Sequence, residues 1–265
     1  RAAPGRAPGQ REPGPGARRP GQSPEYVWLR QIGLREDTPE GEEALKALSA
    51  EHDLLAELGG CVPGLPRPRQ APEVHPGGRT ATLVVTWPSS RSGTPCPALD
   101  TMIEPGGGPM DPFRMFGLLG GLAEVCKTLT GLHGRGIAHR GLTPSGIILL
   151  DHGSLALRDL GLAARPCRAN EGASDHQAPE QRQRQGRAIG PHTDVYRLAA
   201  LTYHVLTGGP PHSRAPLPVG GQVPDLPEQL GRTLDTALAA DPSERPDARS
   251  LEAAFKAARK ALLPG

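Results

Sequence analysis

The sequence is short of aromatic residues, of a dominant charge and of long apolar runs. Aromatic residues make up 3% of the 265 residues, and the formal net charge is +2 because 30 basic residues stand against 28 acidic ones. This balance gives no electrostatic reason to expect nucleic acid or an anionic membrane as a partner. No apolar run approaches the ~18 residues of a membrane span, and no signal peptide is recognisable. We therefore predict neither kind of partner.

Closely spaced cysteines are also missing. The four cysteines lie far apart and form no C-x-x-C pair: Cys61, Cys96, Cys126 and Cys167. A zinc site and a disulfide framework are both disfavoured by this spacing, and a reducing, cytoplasmic location is expected. Because the chain begins with Arg1 rather than Met, we also expect it to be a domain excised from a longer protein.

Glycine and proline, in contrast, are abundant and unevenly spread. The chain has 35 Gly and 31 Pro, and residues 1–24 consist almost wholly of Pro, Gly, Ala, Arg and Gln. Such a segment has no apolar periodicity with which to pack against a core, so we predict a disordered Pro/Gly-rich linker over 1–24. From Glu25 onward the composition is that of an ordinary globular protein.

The periodicity of apolar residues predicts a mixed first half and a mostly helical second half. Thr38 is the expected N-cap of the first helix, and Gly59 lies just past its end. The predicted elements are a strand at 25–33, a helix at 38–58, a strand at 79–87, a helix at 112–134, a hairpin at 146–161, and helices at 193–209, 226–242 and 247–263. This order indicates an α+β fold in two lobes.

Five motifs in the second half occur in an order and at a spacing typical of one family. They are "GLHGRGIAHRGLTPSGIILL", "LRDLGLA", "QAPEQ", "TDVYRLAALTYHVLTGGPPH" and "ADPSERPDA". Together they resemble the catalytic loop, D-F-G segment, A-P-E segment and C-lobe helices of a eukaryotic-type serine/threonine protein kinase of the kind found in bacteria. The resemblance covers residues 25–262 and implies a two-lobed kinase-like fold. It places a reduced N-lobe at 25–90 and a mostly helical C-lobe at 91–265.

The resemblance implies two structural contacts that do not depend on catalysis. Glu180 of the A-P-E segment is expected to form a buried ion pair with Arg245, since a buried carboxylate needs such a partner. Asp194 is expected to accept hydrogen bonds from the backbone of His139 and Arg140. Both contacts would support an intact C-lobe.

The positions that the family uses for phosphoryl transfer are degenerate. The resemblance places Gly141 where kinases carry the proton-accepting Asp, Gly146 where they carry the metal-binding Asn, and Thr143 where a Lys contacts the transferring phosphate. Glycine offers neither a carboxylate nor an amide. We therefore expect no catalytic residue in this loop.

The nucleotide-binding side is also altered. The place of the Gly-rich loop holds the Pro/Gly segment, with only a G-x-G at residues 14–16. Arg30 takes the place of the nucleotide-binding Lys and can still pair with Glu51 of the following helix, because an Arg fork matches a carboxylate. Strand alternation puts Trp28 on the same face as Arg30, where its indole would occlude the space that adenine needs, next to Ile148.

Asp159 of the "DLG" turn is the remaining nucleotide-related residue. The resemblance matches it to the Asp that binds the metal ion in active kinases. An acidic residue before Leu-Gly is, however, also an ordinary turn residue. His139 would pack beneath the loop leading to it. Between Gly161 and Ala178, Ser174 is the one phosphorylatable residue, so control by activation-loop phosphorylation is not expected.

The sequence thus favours a catalytically inactive kinase-like domain, a pseudokinase, that acts as a protein-interaction or regulatory module. Its partner would be a protein or an adjoining domain of a longer chain, and no cofactor is expected. One alternative is a divergent ATP-dependent kinase or nucleotidyl transferase that uses Asp159 with a non-standard base, since kinase-like folds host more than one chemistry. Another is a switch that binds ATP and Mg²⁺ without turnover.

Overall fold

A computed structural model describes most of the chain after the Pro/Gly-rich segment. The described residues are 25–34, 38–103, 110–182, 189–212, 216–223 and 225–263. The predicted linker at 1–24 and the G-x-G at 14–16 lie outside them. The described residues form two compact units. The first contains the residues up to Cys61 together with Leu65–Cys96, and the second contains Val62–Gly64 and the residues from Pro97 onward.

The first unit is a three-stranded antiparallel sheet with one helix. Its elements are β1 (Tyr26–Gly33), α1 (Pro39–Leu58), β2 (Pro68–Val74) and β3 (Thr80–Trp87). The strands lie in the order β1-β3-β2, so β3 is central. Alternation in β3 buries Ala81, Leu83 and Val85 completely, which makes this strand the core of the unit.

Local sequence signals explain why α1 begins and ends where it does. The Thr38 hydroxyl accepts a hydrogen bond from the Gly41 N–H, and Gly59 closes the helix through a bond to the Leu55 carbonyl. These are the two ends predicted from the sequence. β2 was missed, because its sequence PRQAPEV contains two prolines and reads as a loop. It is an irregular edge strand with register shifts against β3.

The second unit is mostly helical. Its elements are α2 (Pro112–His133), β4 (Ile147–Leu149), β5 (Leu155–Leu157), α3 (Pro191–Thr207), α4 (Glu228–Ala237) and α5 (Ala248–Ala261). β4 and β5 form the predicted antiparallel hairpin. The α+β fold class predicted from the sequence is therefore confirmed.

Helix α2 lies at the centre of the second unit and packs against α5. The predicted stripe is completely buried at Leu119, Leu122, Cys126 and Leu129, while Phe116 at its start is only partly covered. By length and composition α2 is the one helix in the described part of the chain that could cross a membrane. However, 61% of its most apolar window is buried inside the protein, as in the core helix of a globular unit.

Candidate functional site

The loop from His139 to Gly146 is anchored by one buried carboxylate. Asp194, near the start of α3, is completely buried and accepts hydrogen bonds from the backbone N–H of His139 (2.8 Å) and of Arg140 (2.6 Å). His133 at the end of α2 lies 2.9 Å from the same carboxylate. Arg140 adopts a left-handed backbone conformation with φ of 59°. The predicted contacts of Asp194 are confirmed, and they hold this unfavourable backbone in place.

His139 joins this loop to the DLG turn, as predicted. Its Nε2 lies 3.1 Å from the Asp159 carbonyl oxygen, and its Nδ1 accepts a hydrogen bond from the Gly141 N–H at 3.2 Å. Nε2 is therefore the protonated nitrogen of a neutral ring. Burial lowers the pKa of His139, and the nearby carboxylates of Asp159 and Asp194 only partly oppose this shift. The ring acts as a structural brace.

Gly141 brings the loop into close contact with the DLG turn. A Cβ atom at Gly141 would lie 3.2 Å from the Cα of Gly161. Gly161 in turn has φ of +58°, and a Cβ there would lie 2.6 Å from the His139 ring. Glycine at both positions permits this approach. The position at which kinases carry a general base therefore holds a tightly packed backbone without a side chain.

Asp159 is neutralised by its neighbour in sequence. Both Nε and Nη2 of Arg158 donate to Oδ2 of Asp159, at 3.0 and 2.9 Å, while Oδ1 accepts a hydrogen bond from the Gly161 N–H at 2.7 Å. The third arm of Arg158 donates to the Ser145 carbonyl at 2.9 Å. Sequence reasoning missed Arg158, because adjacent strand residues point to opposite faces unless a turn redirects one of them.

The residues around Asp159 do not fit the metal ion that the kinase fold implies. One carboxylate oxygen is engaged by a guanidinium, and the position of the second protein ligand is Gly146, where a Cβ would already lie 3.2 Å from the Thr143 hydroxyl. A hard divalent cation needs several oxygen ligands. Among the described residues, no group of three His, Cys, Asp or Glu side chains could hold a metal.

In the first unit, Arg30 of β1 pairs with Glu51 of α1. Its Nη1 lies 2.6 and 2.5 Å from the two carboxylate oxygens, and the Glu51 side chain is 4% exposed. The predicted ion pair is thus present. It neutralises a buried carboxylate within the unit, so it needs no ligand to be stable. The role of Trp28 as the residue that occludes an adenine site stays a prediction.

The segment after the DLG turn is held by Arg140, whose side chain sequence reasoning did not assign. Its guanidinium lies 3.0 and 3.1 Å from the two carboxylate oxygens of Glu171 and contacts the Leu162 and Arg165 carbonyls and the Cys167 thiol. Both side chains of the Arg140–Glu171 pair are nearly buried, at 4% and 7% exposed. A carboxylate of the chain itself therefore fixes this segment without any modification.

A second arginine, Arg197 of α3, ties the same segment to the loop. Its five hydrogen bonds all end on neutral oxygens: the Leu142 and Gly172 carbonyls, the Gln181 amide and the Ser174 hydroxyl. Burial lowers the pKa of Arg197 to about 10, so it remains charged at neutral pH. The loop from His139 to Gly146, the segment after the DLG turn and α3 are therefore joined by one network of buried hydrogen bonds.

The A-P-E segment is fixed by the predicted ion pair. Glu180 and Arg245 form a bidentate contact with two distances of 2.8 Å, and both side chains are buried. Thr193 also donates to Glu180 at 2.8 Å. The remaining donors of Arg245 reach the carbonyls of His192, Ala239 and Ala240. This prediction from the sequence is confirmed.

His176, next to the A-P-E segment, is expected to make the free energy of unfolding depend on pH. It is buried and stacks on His204, with an N–N distance of 2.9 Å. Burial, then the charges of His204 and Arg197, lower its pKa to about 4, against a weaker opposing effect of Asp175. The unfolded chain therefore binds the proton first as pH falls. We expect the free energy of unfolding to fall by about 3 kcal/mol from this group between pH 7 and 4.

Urea unfolding at several pH values will test this expectation. His176→Gln removes the titrating ring, so the decline in stability between pH 6.5 and 4 is expected to become shallower than in the unchanged protein. Equal slopes for the two proteins would contradict the assignment. Glutamine places a non-titrating polar amide where the imidazole lies, so the comparison of slopes, rather than of absolute stabilities, reports the loss of titration.

Comparisons with known proteins find the same fold and the same ordered motifs in protein kinases. The protein kinase domain family matches residues 120–251, which contain α2 from residue 120 onward, the loop, the DLG turn and the A-P-E segment. The solved structure of a mutant PknI kinase domain from Mycobacterium tuberculosis superimposes with a TM-score of 0.62 at 21% sequence identity. That superposition covers 91% of this chain and 87% of the PknI chain.

Curated relatives match over part of their length. PknB of Mycobacterium tuberculosis, a serine/threonine-protein kinase, is 30% identical over 160 residues, which are 52% of this chain and 25% of PknB. A mouse protein described as the inactive serine/threonine-protein kinase PLK5 is 35% identical over 140 residues, 47% of this chain and 23% of that protein. The matched part of the chain spans about a quarter of the length of these relatives.

Proposed function

Because this chain has the bacterial type of protein-kinase fold, we propose that it is a catalytically inactive kinase-like domain that serves as a protein-interaction or regulatory module. The observation that carries the proposal is that neither the loop nor the DLG turn offers a free reactive side chain at the positions that kinases use. Gly141 supplies no base, and the carboxylate of Asp159 is neutralised by Arg158. Phosphoryl transfer depends on positioned charges at both places.

The intact parts of the second unit support a structural role. The Asp194 and Glu180 contacts and the Arg140–Glu171 pair tie the loop and the following segment to the rest of the second unit through the chain's own side chains. A fold that retains such buried polar contacts while its reactive groups are gone can present a defined surface to a protein or to an adjoining domain. The inactivity stated in the name of the mouse relative is in keeping with this proposal.

An enzyme is the alternative, and Asp159 favours it. A divergent kinase or nucleotidyl transferase would have to free this carboxylate from Arg158 before it could bind a metal, and would need a base other than Gly141. A non-catalytic ATP switch needs only binding. A thermal-shift titration with ATP, with and without Mg²⁺ or Mn²⁺, separates the readings, because a ligand that binds only the native state raises the melting temperature. We expect no shift.

Phosphate transfer is the direct test of the proposal. We expect no incorporation of radiolabelled phosphate from ATP into the protein or into generic substrates. Gly141→Asp is expected to remain inactive, because the metal ligand at Gly146 is still absent and single catalytic groups do not act alone. The new Cβ must also displace Gly161 by a few tenths of an ångström.

Gly141→Ala serves as the matched control, since it adds the same Cβ without the carboxylate. Equal melting temperatures for the Ala and Asp variants would assign their destabilisation to packing. Labelling by the unchanged protein that Asp159→Ala abolishes would overturn the proposal and establish the enzyme reading.

A further inference from the structure

The second unit contains a cavity of about 300 Å³ that neither the loop residues 139–146 nor the DLG turn line. Helix α2 forms one wall from Gly117 to Thr128, a length of about 17 Å at 1.5 Å per residue. The β4–β5 hairpin forms another wall, and Arg259 of α5 also lines the cavity. We call this cavity the α2 groove. Its volume is at the lower end of the range of cavities that bind ligands.

Gly117 leaves space open in the α2 groove. A glycine inside a helix is destabilising relative to alanine, so its presence calls for a reason. Packing supplies one at Gly121, where a Cβ atom would lie 2.5 Å from the Gly153 carbonyl oxygen. At Gly117, in contrast, a Cβ atom would meet no described atom within 4 Å. The helix therefore carries a destabilising residue where a side chain would extend into open space.

Arg259 is a cation held in place at the α2 groove. Its Cζ lies 4.2 Å from the centroid of the Phe116 ring, and a Cβ atom at Gly120 would lie 3.1 Å from its Nε. An aromatic ring and a helix backbone without a side chain therefore position the guanidinium. Within the part of the chain that the structure describes, this contact is with a ring rather than a carboxylate. The guanidinium can therefore receive an anionic group.

Glu124 adds the opposite charge one turn further along α2. Its carboxylate is about half exposed and lies 3.8 Å from Nζ of Lys127, which is the geometry of a weak surface pair. Glu124 follows Gly120, which Arg259 covers, after a rise of about 6 Å along the helix. The α2 groove thus presents a positive and a negative group in a fixed order.

The hairpin wall of the α2 groove contributes backbone groups. The Leu157 N–H donates to the Gly64 carbonyl oxygen at 2.8 Å, so this residue of β5 turns its polar backbone groups away from β4. In an antiparallel pair alternate residues share this direction. Leu155 lies two residues earlier in β5 and lines the α2 groove. Its N–H and C=O groups have the direction that an added extended segment needs.

We propose that the α2 groove binds an extended segment of a partner protein in which an acidic and a basic residue stand two positions apart. Such residues share one face of a strand and lie about 6.6 Å apart, which is close to the helical rise between Gly120 and Glu124. The acidic residue pairs with Arg259 and the basic residue with Glu124. A helical segment, about 10 Å across, is too wide for this cavity.

The inference rests on the proposed role as an interaction module only in taking a protein as the occupant. The two proposals fail separately. A protein that transfers phosphate and still binds such a segment would overturn the inactive role and keep the site. An inactive protein that binds no such segment would do the reverse.

Selection from a library of random seven-residue peptides displayed on phage tests the site. We expect the enriched peptides to share an acidic and a basic residue two positions apart, in one order along the chain. A protein with both Glu124→Arg and Arg259→Glu is expected to enrich the opposite order, because its charges are exchanged while the backbone groups of Leu155 still fix the direction of the peptide.

Fluorescence anisotropy with one selected peptide measures the contribution of the charge. Arg259→Ala is expected to weaken binding about tenfold. Arg249→Ala removes another exposed arginine of α5 that does not line the α2 groove, and is expected to bind as the unchanged protein does. Equal weakening by the two variants would contradict a specific role for Arg259.

Gly117→Leu tests whether the α2 groove itself is the site. Leucine fills the open space and is expected to abolish binding, whereas Gly117→Ala adds only a Cβ atom and is expected to retain it. Both variants are expected to melt no lower than the unchanged protein, because either residue favours a helix over glycine. A library without the predicted spacing, the same order with both charge arrangements, or undiminished binding by a folded Gly117→Leu protein would overturn the proposal.

Discussion

Arg245→Met is expected to lower the free energy of unfolding by about 3 to 5 kcal/mol, because it leaves Glu180 charged and buried without its partner. The carboxylate is 2% exposed and would retain only the Thr193 hydroxyl as a close side-chain donor. Methionine is close enough in volume to keep the cavity small, so the loss reports mainly the stranded charge. Urea unfolding followed by circular dichroism measures it.

The same pair predicts an acid-dependent loss of stability. Burial opposes ionisation of Glu180, but the hydrogen bonds and charge of Arg245 outweigh it and lower the pKa of this carboxyl below its usual value. The contribution of the pair is therefore present above the pKa of the unfolded chain and disappears as pH falls through the folded value. Arg245→Met is expected to flatten this acid limb.

Two further variants make the test decisive. Replacing both residues, by Glu180→Leu with Arg245→Met, is expected to recover much of the loss, because a well-packed apolar pair avoids the buried charge. Arg232→Met removes a surface arginine whose side chain is 69% exposed, and is expected to have little effect. A double variant as unstable as Arg245→Met alone would show that shape, rather than charge, dominates the site.

Asp194→Ala is expected to cost about 2 to 6 kcal/mol, since two buried backbone N–H groups lose their acceptor. Without that acceptor the left-handed conformation of Arg140 is no longer compensated, and the loop from His139 onward loses its anchor. Faster hydrogen exchange at the amides of His139 and Arg140 is the specific readout. A merely global loss of stability would accelerate exchange throughout the second unit instead.

Asp53→Ala is the control for this prediction. Its carboxylate is 79% exposed and pairs with the adjacent His52, so its removal is expected to change neither stability nor exchange in the loop. Unchanged exchange at His139 in the Asp194→Ala protein would contradict the anchoring role.

The regular elements were predictable because their signals are local. The Thr38 cap, the apolar stripe of α2 and the short strands of the β4–β5 hairpin all arise from neighbouring residues. β2 was not predictable, because two prolines mask a strand that exists only through its pairing with β3. Tertiary context overrode local propensity there.

The sequence by itself determined the kinase-like fold, the absence of side chains at Gly141 and Gly146, and the pairing of Glu180 with Arg245, because each follows from residue identity within an ordered set of motifs. Only the tertiary structure decided which groups the arginine side chains around the loop contact. The partners of Arg140 and Arg197 are brought together by chain segments distant in sequence, and the contact of Arg158 with Asp159 depends on a turn. A long, flexible arginine side chain can reach many different acceptors, so its sequence neighbours do not fix its partners. Burial does, because a buried guanidinium must have its donors satisfied.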